Sequence, residues 1–428
     1  MADQNRVIYT VDPSTSPASW PPGQAPEFGM MIYRVEVIYI NLQGDSDFRT
    51  LRTGTNEHIH HAVIQVTKHI ARGLYRIVSM NAAAKMRISE PAIPFGSTVV
   101  VIGANGYMGV ETCEKLLQAG FSVRGTVRDV EKNRQWMHKL FDAKWPGMFE
   151  LVHVADFEAE GAFDAAFKGA EGVIYVSTPI ILNADPARVV DPVVKGTINS
   201  LEAAARAGVK RYVLSSSSKA VESTNYNHPH HITSSSMFNY DAIRKACSEP
   251  NVDGLDRFVD VYSASRALAE LAFWSWVGTN QPPFVANCVV PDGQFGRALD
   301  TENTSSTFRM LKAAAEGEWD KVFGQVAYYT DVQDAARLLV AAVALPSIVN
   351  ERIFSYCHNS TWNELRYKIR LTSLKGERLV KGKDQAVEGR DLSNAGALIK
   401  RAEDILRKIG QQGFASEEDI LRDFLDSL

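Results

Sequence analysis

A phenol and a guanidinium stand four residues apart in the run VYSASRALAE, residues 261–270. Tyr262 is a candidate proton donor and Arg266 a candidate fixed charge beside it. A free tyrosine has a pKa of about 10, and acid chemistry at neutral pH asks for a value nearer ~7, a difference of about 4 kcal/mol. One cation about 4 Å away supplies roughly that much at an effective dielectric of about 20. A guanidinium carries the same unit charge as an ammonium, but it is longer, flat and never releases its proton. Arg266 therefore keeps the electrostatic part of the task and excludes a relay through a neutral amine. The rival reading is a turn of surface helix, since one spacing match is cheap.

The second constellation is VVVIGANGYMG, with Gly103, Gly106 and Gly109 at a three-residue spacing between a buried run and a helical one. Gly103 lets the chain turn tightly. Gly106 has no Cβ to block an approaching pyrophosphate. Gly109 lets a helix pack close to a strand, and free N–H groups at the helix start face the phosphates. Asn105, Tyr107 and Met108 belong to the same dinucleotide-facing turn. A plain strand-to-helix turn is the alternative. The next strand ends TVRD, so Arg128 stands where a ribose 2′-phosphate would lie and can fork two hydrogen bonds onto it. This favours NADP(H) over NAD, although Asp129 could pair with Arg128 instead. VADF offers Asp156, for the adenine amino group, with Phe157 beside it. YVSTP offers the backbone around Val176, Ser177 and Thr178 for ribose and pyrophosphate.

The elements that must position these residues alternate in type. TVVVIG, FSVRGTVR, FELVHV, GVIYVST, KRYVLSSS and FVANCVV read as six strands, separated by helical runs such as YMGVETCEKLLQAG, EAEGAFDAAFKGA and PVVKGTINSLEAAARAGV. Alternation of this kind predicts an α/β fold with a doubly wound parallel sheet, the NAD(P)-binding Rossmann arrangement. After Pro291 the pattern becomes mainly helical, as in DVQDAARLLVAAVAL, TWNELRYKIRL and SEEDILRDFLDSL. The expected organisation is an NADP-binding domain over 86–290 and a smaller, mainly helical substrate-binding region over 291–428. Residues 1–85 read as a poorly ordered extension, or as an artefact of where translation was taken to start. DPSTSPASWPPGQAPEFG cannot hold a regular element, MMIYRVEVIYINLQ alternates like a strand, and HHAVIQVTKHIARGLYRIV could form an amphipathic helix.

Composition narrows the class. Apolar residues make up 45% and charged residues 22% of 428, and the formal net charge is −4, which argues against nucleic acid or an anionic membrane as the main partner. Four scattered cysteines form no CxxC pair, so a zinc ribbon or redox dithiol is not suggested, and reduced thiols in a cytoplasmic protein are expected. No apolar run reaches the roughly 18–20 residues that span a bilayer. Two histidine groups, His58, His60 and His61 and then His228, His230 and His231, lack matching ligands, so loops are expected there and no metal site.

Taken in order, the glycine turn, VRGTVRD, VKGTINSLEAA, RYVLSSSS, YSASR, VVPDGQFG, YYTDVQDAARL and RAEDILRKIGQQGF resemble an extended short-chain dehydrogenase/reductase. Within that group the chain is similar to dihydroflavonol reductases, cinnamoyl-CoA reductases and fungal aldehyde or ketone reductases. The resemblance covers about residues 96–428 and nothing before Met86. It implies a Ser–Tyr–Lys arrangement with Tyr262 as proton donor, Ser217 as the serine (Ser216 is the alternative) and Arg266 in the lysine position, gripping the nicotinamide ribose. Pro291 is implied at the cofactor. Asn199 would hold a water beside the site or bond within its helix. The implied reaction is NADPH-dependent reduction of a medium-sized aldehyde or ketone by a monomer or homodimer. Met237, Phe238, Tyr240, Gln294 and Phe295 would supply a partly apolar pocket wall. Where the family usually has Asn, this chain has Asp292, which puts a ligand contact there in doubt. A non-catalytic NADP-binding regulator, or an NAD-dependent 3-hydroxysteroid dehydrogenase or epimerase, remain as other readings. Trp274 and Trp276 read as helix packing.

Overall fold

The computed structural model describes residues 86–428 apart from short stretches at 178–180, 182, 233, 249, 251 and 301–305, together with three strands within the first 85 residues. The chain divides into two units, Met1–Ala82 and Ala83–Leu428. In the first, β1 (Arg6–Thr10), β2 (Glu36–Ile40) and β3 (Ser46–Thr50) pair antiparallel with β2 in the middle. The strand expected within residues 30–43 is thus present as β2. The Pro- and Ser-rich segment, the helix expected over 60–78 and the first histidine group lie outside the described residues.

The second unit is built on seven parallel strands. β4 (Thr98–Ile102) is a run of β-branched residues that must bury both faces, and it does. Val99 and Val101 enter the apolar core on one side of the sheet, and Val100 and Ile102 the core on the other. Around it lie β5 (Ser122–Val127), β6 (Phe149–His153), β7 (Gly172–Tyr175), β8 (Arg211–Ser215), β10 (Val285–Pro291) and β13 (Arg352–Ser355). The order across the sheet is β13-β10-β8-β7-β4-β5-β6. The direction of strand addition reverses between β4 and β7, which opens a crevice at their carboxyl ends.

All six expected strands take part, and β13 is a seventh. The chain after Pro291 therefore does not stay off the sheet, as the helical reading of 291–428 implied. It returns to add an edge strand and a core helix, because RIFS and VQDAARLLVAAVA bury their side chains. The helices facing the sheet are α1 (Tyr107–Gln118), α2 (Val130–Phe141), the short α3 (Asp164–Phe167) and α4 (Pro186–Ala207). After them come α5 (Tyr240–Ser248), α6 (Leu255–Asn280) and α8 (Val332–Ala344). Ends follow ordinary capping. Asp185 accepts from Ala187 N at 3.1 Å to open α4, and Gly208 closes it at φ +71°. No helix among the described residues is long and apolar enough to cross a membrane.

A smaller layer covers the carboxyl edge. It holds β9 (His230–His231), β11 (Gly293–Phe295), α7 (Ser306–Glu316), β12 (Tyr328–Asp331), β14 (His358–Asn359), α9 (Trp362–Thr372), α10 (Leu374–Leu379), β15 (Ser393–Asn394) and α12 (Glu417–Ser427), whereas α11 (Gly396–Lys408) packs on β13 and α8 in the core of the main sheet. Its apolar core gathers Phe295, Phe308, Tyr329, Trp362 and Phe424, with Tyr107 from α1.

One buried cation joins the strands to α8. Arg211, at the start of β8, donates to the carbonyls of Ala342, Val343, Leu345 and Ile348 at 2.7–3.1 Å. A charge facing the carbonyl end of a helix satisfies groups the helix cannot bond itself. Replacing it with methionine (Arg211→Met) is expected to lower unfolding stability by about 2–4 kcal/mol, because hydrogen bonds to a charged group contribute about 1.5–3 kcal/mol and buried carbonyls are left bare. Urea denaturation with an unchanged midpoint would contradict this.

Candidate active site

The glycine turn is shaped by contacts shorter than a side chain permits. Gly103 follows β4 at φ +82°, and a Cβ there would lie 2.6 Å from the Cβ of Ser177. A Cβ on Gly109 would lie 2.0 Å from the Gly103 carbonyl oxygen. Gly106 is different, since its Cβ would meet only that same oxygen at an ordinary 3.5 Å. The protein itself does not need glycine at 106, so the space it leaves open faces outward, over the start of α1. Gly106 is the N-cap of α1 and brings no capping side chain. An open backbone face over uncapped helix N–H groups fits the pyrophosphate of a dinucleotide. Val176 and Ser177 amides both bond the Ile102 carbonyl, at 3.1 and 3.0 Å, which seats the end of β7 against the turn. Thr178 lies outside the described residues.

The side chains around the turn sort themselves. Asn105 Nδ2 donates to Asn133 Oδ1 at 3.2 Å, and Asn133 Nδ2 donates to the Asp129 carbonyl at 2.6 Å. Asn133 thus ties the glycine turn to the end of β5. It was missed in the sequence because VEKNRQWMHKL reads as an ordinary surface helix. Asp129 caps α2 by accepting from Lys132 N at 2.9 Å. It forms no bond to Arg128, which is exposed and makes no ion pair with a described residue. The Tyr107 side chain turns away into the C-terminal core, against Phe308, so only its backbone stays at the turn. Met108 is likewise half-buried between two cores. Asp156 accepts from Glu158 N at 2.8 Å in a tight turn after β6. The Asn199 side-chain amide nitrogen does not bond within its helix. It reaches the carbonyls of Phe157, Glu158 and Ala159 at 2.8–3.3 Å and fixes that turn.

At the end of β8 the serines divide. Ser216 Oγ donates to Glu270 at 2.6 Å and is buried. Ser218 Oγ donates to Asp292 at 2.8 Å. Ser217, between them, is half-buried and accepts only the Lys219 amide, at 3.2 Å. Its extended backbone, φ −157° and ψ 151°, aims it opposite to its neighbours. Tyr262 is half-buried on α6, the helix packed against the turn that follows Ser217. Arg266, one helical turn further, is buried, and its Nη2 donates to the Ser215 carbonyl at 2.9 Å. Its charge is felt at Tyr175, the last residue of β7. Burial pushes that phenol up to about 12, and Arg266 pulls against the rise. The guanidinium thus stands at the carboxyl ends of β7 and β8, between the glycine turn and Ser217.

The substrate side departs from expectation at Phe295 and Tyr240. Phe295 is buried in the C-terminal core, with ring centroids 5.2 Å from Tyr329 and 6.0 Å from Trp362, and is not a pocket wall. Tyr240 is exposed at the start of α5. Asp292 accepts from Ser218 and, at 3.1 Å, from Tyr328 N, so it braces the layer rather than facing a ligand. Burial raises its pKa, with Lys219 opposing the rise. Phe238 lies 4.3 Å from the Arg352 guanidinium, in a hollow shared with Trp274 and Val349. Pro291 closes β10 opposite Ser355. His230 is held by Glu222 at 2.9 Å.

Comparison with known proteins matches residues 99–355 to the NAD dependent epimerase/dehydratase family. The chain belongs to that family. Aldehyde reductase 2 of Sporidiobolus salmonicolor is 32% identical over 349 residues, covering 80% of this chain and 98% of that protein. Ketoreductase adrE of Penicillium rubens is 30% identical over 336 residues, 76% of this chain and 95% of that one. Among solved structures, yeast methylglyoxal/isovaleraldehyde reductase Gre2 complexed with NADPH shares the fold. It has a TM-score of 0.63 and 20% identity, covering 77% of this chain and 97% of its own. As an epimerase/dehydratase family member, the chain should meet its dinucleotide at the glycine turn. Gly106→Ala should then leave thermal stability unchanged yet weaken dinucleotide binding by about tenfold or more, as displaced phosphate hydrogen bonds would. Fluorescence titration checks this, and unchanged affinity would move the pyrophosphate elsewhere.

Proposed function

We propose that this oxidoreductase reduces the carbonyl of a medium-sized, partly apolar aldehyde or ketone with NADPH. The observation that carries the reading is the division of the serines. Ser216 and Ser218 are spent on the carboxylates of Glu270 and Asp292, whereas Ser217 accepts only the Lys219 amide and donates to no described residue, on a turn packed against the helix of Tyr262. The turn 103–109, with Asn105 held by Asn133, would bind the pyrophosphate. Arg128 would take the 2′-phosphate, Asp156 and Phe157 the adenine end, and Val176, Ser177, Thr178 and Pro291 the nicotinamide half. When bound, NADPH supplies the hydride.

The chain's own residues manage the oxygen. Ser217 Oγ donates to the carbonyl oxygen and holds it as charge develops there. Tyr262 gives that oxygen its proton. Arg266 holds a permanent positive charge at the ends of β7 and β8, and it favours the phenolate that Tyr262 becomes. Because Arg266 cannot shed a proton, the phenol recovers its hydrogen from solvent. The similarity to an aldehyde reductase and a ketoreductase over most of the chain supports carbonyl reduction. A second reading, a regulator that binds NADP without chemistry, draws only on the arginine that stands at 266 in the lysine position.

Purified protein assayed with NADPH against aldehydes, β-ketoesters and flavanonols should oxidise the cofactor with at least one class. Tight NADP binding with no turnover across the panel would favour the regulator. Arg128→Ala should raise the KM for NADPH by about tenfold or more and leave that for NADH unchanged, since hydrogen bonds to a charged group are worth about 1.5–3 kcal/mol. Equal effects on both cofactors would contradict the assignment. Ser217→Ala should lower kcat by about 100- to 1000-fold, the usual cost of one donor to a developing oxyanion. A rate within twofold of wild type would remove Ser217 from the mechanism.

A further inference from the structure

One fully buried carboxylate holds three parts of this site together. Glu270 lies on α6, eight residues beyond Tyr262, and is 0% exposed. Its Oε2 accepts Ser216 Oγ at 2.6 Å and Arg352 Nη2 at 3.0 Å. Its Oε1 accepts Arg352 Nε at 2.6 Å and Trp274 Nε1 at 3.2 Å. The remaining arm of Arg352, Nη1, points on to the carbonyls of Ser235 and Met237, and the guanidinium covers Phe238. Arg352 itself opens β13, opposite Cys288 of β10.

Apolar packing alone would seat α6 on the sheet without the cost of taking two charges out of water. What charges add is direction, because a two-armed carboxylate–guanidinium pair tolerates little rotation or slip. The Ser216 amide continues the strand pairing by bonding the Val289 carbonyl at 2.8 Å, and Ser217 is extended at φ −157° and ψ 151°, so the two side chains leave the chain on opposite sides and fixing one inward turns the other outward. Glu270 and Tyr262 share a rigid helix about 12 Å apart along its axis. Any slip of α6 against β8 therefore moves the phenol relative to the Ser217 hydroxyl.

We propose that Glu270 and Arg352 are positioning residues of the reduction. Glu270 sets Ser217 against Tyr262, and Arg352 sets the loop carrying Met237 and Phe238, hence the choice of carbonyl substrate. This rests on the reductase reading of Ser217 and Tyr262.

Three full-length variants separate the roles. Ser216→Ala removes only the hydroxyl tie, and Ser216→Thr restores it. Arg352→Lys keeps a cation for Glu270 but cannot reach both loop carbonyls. Ser216→Ala should lower kcat about tenfold with NADPH affinity and melting temperature unchanged, and Ser216→Thr should recover most of it. Arg352→Lys should raise the KM several-fold and reorder the substrate panel at nearly constant kcat. Amide hydrogen exchange should quicken at 214–218 only in Ser216→Ala and at 234–238 only in Arg352→Lys. Wild-type exchange at both segments would overturn the proposal, as would equal losses of kcat/KM for every substrate accompanied by lost thermal stability. If the wild type reduces no carbonyl, the reductase reading and the catalytic part of the proposal fall together. The exchange rates then still decide whether the pair fixes the two segments.

Discussion

Between β4 and α1 the backbone runs closer to itself than any side chain allows. With a Cβ at 109 only 2.0 Å from the Gly103 carbonyl, and one at 103 only 2.6 Å from Ser177, the first turn of α1, the end of β4 and the end of β7 form one tight knot at the sheet's switch point. The rest of the structure is arranged around that contact. α1 can start immediately above the strand, so its amide end faces the crevice rather than the core. Its remaining length is buried beneath α8, and its charged side chains must then find partners in the interior. Lys115 meets Glu111 at 3.0 Å and Gln333 at 3.0 Å, and Arg297 bridges Glu111 and Glu114. Those pairs tie α1 to the segment after β11, so the layer over the cleft is attached to the same helix that would meet the phosphates.

The other half of the crevice is governed by charge rather than by close approach. Arg266 and Arg352 both work through α6, and both reach the end of β8, the first directly at the Ser215 carbonyl and the second through Glu270 and Ser216. Between them they fix the two residues that lead into Ser217. An arginine in place of a lysine at 266 suits this role. A guanidinium has five donors in a flat fork, so one arm can brace the strand while its permanent charge still acts on Tyr175. The effect on Tyr175 shows that reach. Family membership and the course of the sheet are consistent with a nicotinamide site on one side of this charge and a carbonyl on the other.

Much of this was legible in the residues. TVVVI, GVIYV and NCVVP announce buried strands because β-branched runs with no polar face have nowhere else to go. The glycine spacing announces the turn because two of its three positions admit no other residue. β13 and α2 escaped notice for opposite reasons: RIFS is too short to show a period, and VEKNRQWMHKL shows an exposed face that conceals Asn133. Glu270 and Arg352 were invisible for a general reason. A charged residue reads as surface unless its partner is known, and this partner lies 82 positions away. The serine run could be ranked but not resolved, since four identical side chains differ only in what they bond. Phe295 was misplaced because an aromatic after a strand end faces a cleft or a core according to what packs above it. Here Trp362 and Tyr329 do.

The central claim is that Tyr262 delivers the proton while Arg266 stands in for an ammonium. Single-turnover oxidation of pre-bound NADPH by the best carbonyl substrate, compared between the wild type and Tyr262→Phe, addresses it most directly. The account predicts that the variant binds NADPH as tightly as the wild type and transfers hydride about 100- to 10,000-fold more slowly, the usual range for a lost general acid. Hydride transfer at the wild-type rate without the phenolic hydroxyl would contradict it.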